Sequence, residues 1–275
     1  MEAFRHLDTT TMPWAPEPTI KGMKSKVLFR DPESGAVTII RSVPPGYGVG
    51  DQPFRHYHTS VVERSFYLAG DFPHWEFDGP EDKTGDLIMF RRGLFMDRPP
   101  NTIHGLFPHP KSEIGGMAIS WNTGGGVGVD DPNYEVESID VPFENPGRFN
   151  VAFTSPRIFM HDTLPWNPHP RVKGWKIKPL APRRGVAPEV ALVHVTADWQ
   201  PARSGAVVEP TDERRWMFVV SGGLDVVVSQ GARQDAIALK EHGYLEWRAP
   251  AVIGFAAGAV SDIGATVLCV GHVLG

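Results

Sequence analysis

Short apolar runs alternate with polar residues along this chain, and clusters of turn-forming residues separate them. Glycine and proline number 29 and 26, and clusters such as Pro44-Pro45-Gly46 interrupt the apolar runs. No long segment carries a 3.6-residue period, so the pattern predicts antiparallel strands and not helices. The predicted strands include residues 37–43, 64–68, 87–90, 117–121, 191–196, 216–220, 224–228 and 265–270. An all-β chain of 275 residues fits two small barrels, each able to enclose one small ligand.

An internal repeat organises the chain. Residues 12–28 read MPWAPEPTIKGMKSKVL, and residues 164–180 read LPWNPHPRVKGWKIKPL, so that Trp14 recurs as Trp166. The similarity continues downstream, where Gly93-LFMDRPPNTIH aligns with Gly243-YLEWRAPAVIG. A repeat of this length predicts two copies of one fold. We therefore expect domains at 1–132 and 164–275 joined by a linker at 133–163, with the repeated lysines forming a solvated strand face.

Four side chains with metal-ligating chemistry lie between residues 50 and 105. They are His56, His58, Glu63 and His104. Side chains alternate in a strand, so His56 and His58 point to one face and can hold one ion. Glu63 would start the partner strand after a tight turn, and His104 follows a Pro-Pro-Asn turn. Three imidazole nitrogens and one carboxylate suit Fe(II), Mn(II), Ni(II) or Zn(II), with one or two coordination positions left open.

The spacing of these ligands resembles the two signature motifs of the cupin superfamily. The first motif, G-x5-H-x-H-x3,4-E-x6-G, is matched by Gly50, His56, His58, Glu63 and Gly70. The second, G-x5-P-x-G-x2-H-x3-N, is matched by Gly93, Pro99 and His104, with Asn101 replacing a glycine and Pro108 replacing the final asparagine. Asparagine tolerates the left-handed conformation that this turn requires. The resemblance implies two tandem cupin barrels, which are double-stranded β-helices of the jelly-roll type, and a metal-binding role for the four ligands.

The repeated PW-P-P-x-x-K-G-x-K-x-K-x-L segment is similar to that of cupins related to the ChrR anti-sigma factor. That group includes acetylacetone-cleaving and 2,4'-dihydroxyacetophenone-cleaving dioxygenases. The resemblance implies a non-haem Fe(II)-dependent dioxygenase that uses O2 to cleave a C–C bond of a small dicarbonyl, hydroxyketone or aromatic substrate. The same ligands around a redox-inert ion would give a lyase, isomerase or decarboxylase. A small-ligand sensor module is a third alternative, although the sequence shows no zinc-ligand pattern for a partner-binding domain.

The second copy of the repeat shows no equivalent ligand set. Aligned by sequence, His56 and His58 fall near Ala206 and Val208, or two residues later at Pro210; Glu63 falls near Arg215, and His104 falls on Gly254. These residue types do not rebuild a metal site. We therefore expect one metal ion per chain, held by the N-terminal half.

Tyr67 and Arg98 are candidate catalytic residues beyond the ligands. Tyr67 lies on the same strand face as Glu63, so its hydroxyl could donate a hydrogen bond to a bound oxygen; a buried packing tyrosine is the alternative. Arg98 could bind a substrate carboxylate. The alignment places Arg248 at the same position of the second copy, which favours a structural role for Arg98.

The net charge and the cysteine content limit the kinds of binding partner and the cellular compartment to be expected. A net charge of -5 gives no electrostatic case for nucleic acid or an anionic membrane, and no apolar run reaches membrane length. The single cysteine, Cys269, excludes an internal disulfide and fits a buried apolar strand. We expect a cytoplasmic protein whose partners are a small-molecule substrate and O2, with a homodimer as a further assembly.

Overall fold

A computed structural model describes residues 3–17, 20–48, 54–58, 61–79, 82, 84–106, 110–123, 134–137, 148–149, 158–183, 189–199, 207–208 and 213–271. Gly50, Pro108, Ala206, Pro210 and most of the predicted linker lie outside these residues. Among the described residues, strands dominate and the one helical turn is a 3-10 turn at His161–Thr163. The prediction of an all-β chain is confirmed.

The strands follow one another in chain order as follows. The first thirteen are β1 (Phe4–Asp8), β2 (Ala15–Pro16), β3 (Lys24–Arg30), β4 (Val37–Val43), β5 (Phe54–His58), β6 (Glu63–Glu76), β7 (Asp86–Arg91), β8 (Leu94–Arg98), β9 (His104–Leu106), β10 (Gly116–Asn122), β11 (Tyr134–Glu137), β12 (Arg148–Phe149) and β13 (Ile158–Met160). The remaining eight are β14 (Asn167–Pro168), β15 (Trp175–Ala181), β16 (Val190–Val195), β17 (Val207–Val208), β18 (Arg215–Gln230), β19 (Arg233–Lys240), β20 (Gly243–Trp247) and β21 (Val252–Val270).

The chain divides into two compact units. The first-repeat unit is Pro13–Thr163, and the second-repeat unit combines Met1–Met12 with Leu164–Gly275. In the first-repeat unit the strand order is β11-β5-β9-β6-β10-β4-β3-β2, with β7 and β8 paired to β6. In the second-repeat unit the order is β1-β20-β18-β21-β16-β15-β14, with β19 paired to β18 and β17 to β21. The same hairpins therefore recur in both units.

The division differs from the expected boundaries because each unit takes an edge strand from the segment that precedes the other repeat. β1 pairs antiparallel with β20, from Phe4 opposite Trp247 to Asp8 opposite Gly243. Correspondingly, β13 pairs antiparallel with β8, where Ile158 lies opposite Met96. These pairings cover the outer edges of β20 and β8, which would otherwise expose free backbone groups. Residues 1–12 thus belong to the second-repeat unit, and the end of the predicted linker belongs to the first.

The repeated Pro-Trp segments pack by a cation–aromatic contact in each unit. The Lys26 ammonium lies 4.4 Å from the ring centroid of Trp14, and the Lys178 ammonium lies 4.6 Å from that of Trp166. Both lysines are buried, at 7% and 3% exposure. The expected solvated lysine face is therefore wrong at these two positions, because each lysine is buried with its ammonium over an aromatic ring.

Candidate metal centre

Neighbouring strands bring three histidines together in the first-repeat unit. His56 and His58 lie on β5, and His56 is directly opposite His104 of β9 in the antiparallel register. One ligand nitrogen from each ring lies within 4.8 Å of the others. All three side chains are buried, and the centroids of the His56 and His104 rings are 4.1 Å apart. The period-two alternation of β5 thus places both its histidines against the third.

The turn before β9 orients His104 for ligation. Asn101 has a left-handed φ of 66°, as expected for an asparagine in the place of a glycine, and its backbone N–H donates to the carbonyl of His58 over 2.7 Å. The Nδ1 of His104 lies 2.9 Å from the carbonyl oxygen of Thr102. A carbonyl only accepts, so Nδ1 carries the proton and Nε2 keeps its lone pair for a metal ion.

Glu63 stands beside the three histidines but is ion-paired to an arginine. Its Oε2 is 2.9 Å from the Arg98 Nη1 and 3.5 Å from the His104 Nε2. The group of ligand atoms that converge within 4.8 Å contains the histidines without Glu63. A role of Glu63 as the fourth ligand stays a prediction, because its carboxylate would have to turn away from Arg98 toward an ion.

Arg98 is held on several sides by polar groups. Its Nε donates to Glu76 Oε1 over 2.8 Å, its Nη1 pairs with Glu63, and its Nη2 contacts both Glu76 and the Nδ1 of His74. The His74 ring in turn stacks on Phe90, with centroids 5.0 Å apart. The Arg98 side chain is 4% exposed. Arg98 therefore positions Glu63 and His74, and it has little donor capacity left for a substrate.

Burial and neighbouring charges set the protonation states of these groups. Desolvation lowers the pKa of His56 to about 3, and it lowers the pKa of His74 and His104 well below the usual value. Burial would raise the pKa of Glu63, but the opposing charge of Arg98, with His58 and Arg41, lowers it to about 2. Neutral imidazoles and an ionised carboxylate are the forms that bind metal ions.

A cavity opens beside the histidines and contains both predicted catalytic residues. Ser65, Tyr67, Met96 and Arg98 line it, as the alternation of β6 and β8 predicts. Its volume is about 80 Å³, several times the space that one water molecule needs. The Tyr67 ring packs edge-on against Phe90 at 4.8 Å, and burial raises the pKa of its hydroxyl well above the usual value. That hydroxyl therefore stays protonated and acts as a donor.

Two polar residues of this site were missed by sequence reasoning. They are Arg41 and Glu76. Arg41 had one usable signal, since it is the one charged residue of β4, VTIIRSV. Glu76 gave none, because it lies beyond the motif and reaches the site through the long strand β6. The spacer position of His74 predicts either a place at the mouth of the barrel or an exposed one, and the structure places it in the cavity lining.

Backbone features fix the correspondence between the two units. Gly70 and Gly222 both have positive φ, at 80° and 78°, and a Cβ added to either would lie 1.9 Å from a backbone oxygen. The next shared feature is a hydrogen bond, from Gly93 N to Tyr67 O in one unit and from His242 N to Val219 O in the other. Gly93 therefore corresponds to His242, which also has a positive φ of 65°. The sequence alignment of Gly93 with Gly243 was wrong by one residue.

This register changes the counterparts of two site residues. Glu63 lies opposite Arg98 on β6 and β8, and Arg215 lies opposite Trp247 on β18 and β20. Trp247, and not Arg248, is thus the counterpart of Arg98, so the argument from Arg248 for a structural role does not hold. The ion pairs of Arg98 support that role instead.

Apolar residues fill the second-repeat unit at the positions of the site. In the backbone register, His56 lies opposite His104 on β5 and β9, and Val208 lies opposite Ile253 on β17 and β21. Ile253, and not Gly254, therefore replaces His104. The counterparts of five other residues of the site lie in one packed apolar cluster. They are Val193 for Arg41, Met217 for Ser65, Val219 for Tyr67, Val226 for His74 and Val228 for Glu76. Within the described residues, this unit therefore carries a core where the first carries a site.

Comparisons with known proteins identify the fold. No family model matches the sequence, and no curated protein matches it. Among solved structures, the oxalate decarboxylase of Lactobacillus farciminis is 13% identical with a TM-score of 0.59, over 96% of this chain and 85% of that one. Protein Ylba from E. coli is 11% identical with a TM-score of 0.58, over 97% and 90%. Hazelnut vicilin is 10% identical with a TM-score of 0.57, over 94% and 83%.

Each of the two units of this chain therefore has the cupin fold. At these identities the likeness shows the fold alone, so the prediction of two tandem cupin barrels is confirmed while the ChrR-like group is not shown. The residues present fit a divalent metal ion, because three buried imidazoles converge and one has its tautomer set by Thr102. Among the described residues, no helix has the length and apolarity to span a membrane.

Proposed function

We propose that this protein is a metal-dependent enzyme, an Fe(II)-dependent dioxygenase that cleaves a C–C bond of a small dicarbonyl, hydroxyketone or aromatic substrate. The observation that carries the proposal is the convergence of three buried imidazoles, two of which line a small cavity. When bound there, a redox-active divalent ion would supply open coordination positions at which substrate and dioxygen meet.

The protein's own residues have separable tasks around such an ion. His56, His58 and His104 would hold it, while Arg98 keeps Glu63 ionised and in place beside His104. The protonated hydroxyl of Tyr67 would orient a substrate oxygen by donating a hydrogen bond. Phe72 and Met96 contribute apolar walls to the cavity, against which the carbon skeleton of a substrate would pack.

The second candidate is a lyase, isomerase or decarboxylase that uses a redox-inert ion in the same ligands. Its support is the fold similarity to an oxalate decarboxylase, together with a ligand set that suits Mn(II), Ni(II) or Zn(II) as well as Fe(II). The two candidates differ in one measurable respect, which is whether O2 is consumed.

Metal analysis of anaerobically purified protein, followed by oxygen uptake, tests both. Protein reloaded with Fe(II), Mn(II) or Zn(II) is assayed against pentane-2,4-dione and a panel of hydroxyketones. The dioxygenase predicts one O2 consumed per substrate with Fe(II), and both atoms of ¹⁸O2 recovered in the products. Turnover with Mn(II) or Zn(II) and no oxygen uptake would select the second candidate. His104→Ala should be inactive, and His194→Ala, a half-buried histidine of the other unit, is the matched control.

A further inference from the structure

Arg41 is a cavity-lining cation whose nearest carboxylates lie too far away for hydrogen bonds. Its Nε is 3.9 Å from Glu17 Oε2, and its Nη1 is 4.0 Å from Glu63 Oε1. The buried Nε has no hydrogen-bond partner among the residues that the structure describes. Arg98, by contrast, donates to Glu76 and Glu63 at 2.8 and 2.9 Å. The two cavity arginines therefore differ in how much donor capacity they keep.

Arg41 faces the same space as the histidines. It lines the cavity with His56 and His104, and the carboxylate of Glu63 lies between its Nη1 and the His104 Nε2. Much of the remaining lining near Arg41 is apolar, formed by Met23, Val43 and other residues. A ligand in this cavity would therefore meet a metal ion at one end, Arg41 at a second point and apolar walls elsewhere.

The charge of the site leaves room for one anion. With a divalent ion bound, the formal charges of three glutamates (Glu17, Glu63 and Glu76), two arginines (Arg41 and Arg98) and the ion sum to −3 + 2 + 2 = +1. The fold does not require a cation at the Arg41 position, because Val193 occupies it in the second-repeat unit at 1% exposure. The Arg41 side chain is 14% exposed, and its Nε makes no hydrogen bond within the described residues. Such a loss of hydration is costly, and an anion within hydrogen-bond distance would offset that cost.

We propose that Arg41 is a specificity-determining residue that binds the carboxylate of the substrate. The substrate class is then a small keto acid, whose carbonyl oxygens reach the metal ion while its carboxylate accepts hydrogen bonds from the Arg41 guanidinium. This inference rests on the proposed metal site and narrows the substrate within it. It holds whether the ion is redox-active or inert.

A matched pair of chelators tests the inference without any mutation. Pentane-2,4-dione and 2,4-dioxopentanoate share a 1,3-dicarbonyl, and the second carries a carboxylate in place of a terminal methyl group. Binding to Zn(II)-loaded protein is measured by isothermal titration calorimetry under anaerobic conditions. We expect 2,4-dioxopentanoate to bind about 10- to 100-fold more tightly, the range for hydrogen bonds to a charged partner. Equal affinities would overturn the inference.

Variants assign the effect to Arg41. Arg41→Gln should abolish the preference for the acid and leave zinc content and the affinity for the diketone within about threefold. Arg41→Lys keeps the charge but lacks the bidentate donor geometry, so it should retain part of the preference for the acid. Arg30→Gln, an exposed arginine on the neighbouring strand β3, is the matched control. A preference that survives Arg41→Gln would overturn the assignment. If the acid binds more tightly but the Fe(II) protein takes up no oxygen with it, the role of Arg41 is supported and the proposed dioxygenase activity is refuted.

Discussion

Replacing Arg98 by methionine should strongly destabilise the first-repeat unit. The change removes the cation that pairs with two buried carboxylates, Glu63 and Glu76, while the thioether fills much of the vacated space. Removing one partner of a buried ion pair costs about 3–5 kcal/mol, because the other charge stays buried without compensation.

The lowered pKa of Glu63 gives a second route to the magnitude. Its pKa falls from 4.5 to about 2 on folding, a difference of 2.5 units. At 1.36 kcal/mol per unit, this favours the folded state by about 3 kcal/mol at neutral pH. Because the folded pKa is the lower one, this contribution is complete above pH 4.5 and is lost as the pH falls towards 2. Arg98 is the largest of the charges that lower the pKa.

The assay is urea unfolding of metal-free protein between pH 4 and pH 8, with hydrogen exchange of peptides from β6 and β8 to report on this unit. We expect Arg98→Met to lose about 3–5 kcal/mol at pH 7. The difference in the free energy of unfolding between the unsubstituted protein and Arg98→Met should become smaller at lower pH, since the uncompensated carboxylates of the variant can then take up protons. Arg91→Met, at an exposed position, should cost less than about 0.5 kcal/mol. If Arg98→Met is too unstable to measure, Arg98→Lys should show a smaller loss with the same pH trend. A loss below about 1 kcal/mol, or one independent of pH, would refute the ion-pair argument.

Further predictions concern the metal, the reaction and the exchanged strand. One metal ion should bind per chain, and His104→Ala should lose it while its circular dichroism stays all-β; two tightly bound equivalents by mass spectrometry would contradict this. Metal affinity, measured by competition with a chelator, should change little between pH 8 and pH 5. The pKa of His56 is about 3, so protons compete with the metal ion only at lower pH. A steep loss of affinity near pH 6.5 would indicate ordinary exposed histidines. Tyr67→Phe should keep the metal and lower kcat at least several-fold, whereas unchanged kinetics would reduce Tyr67 to a packing residue. Removal of residues 1–8 should lower the thermal stability of the second-repeat unit, because β20 loses its partner strand β1. The metal content should stay unchanged. An unaltered melting profile would argue against the pairing of β1 with β20.

Much of the metal centre could be predicted from the sequence because its ligands are local. His56 and His58 are two residues apart on one strand, and the period of a strand is two, so their common face follows from spacing alone. The left-handed turn at Asn101 follows from residue type in the same way. The repeat, the all-β class and the interior positions of Tyr67 and Arg98 also rest on local patterns that the structure preserves.

The tertiary structure alone decided which charges meet in the cavity and how the two copies correspond. Arg41, Glu63 and Arg98 come from three strands, and their distances depend on strand pairing that no local pattern specifies. The sequence favoured an alignment of Gly93 with Gly243, since both are glycines. In the structure His242 takes the left-handed conformation at this place, and the backbone hydrogen bonds align it with Gly93. Only this register makes Trp247 the counterpart of Arg98. A shift of one residue along a strand exchanges its two faces, so only the observed register shows which side chains point inward.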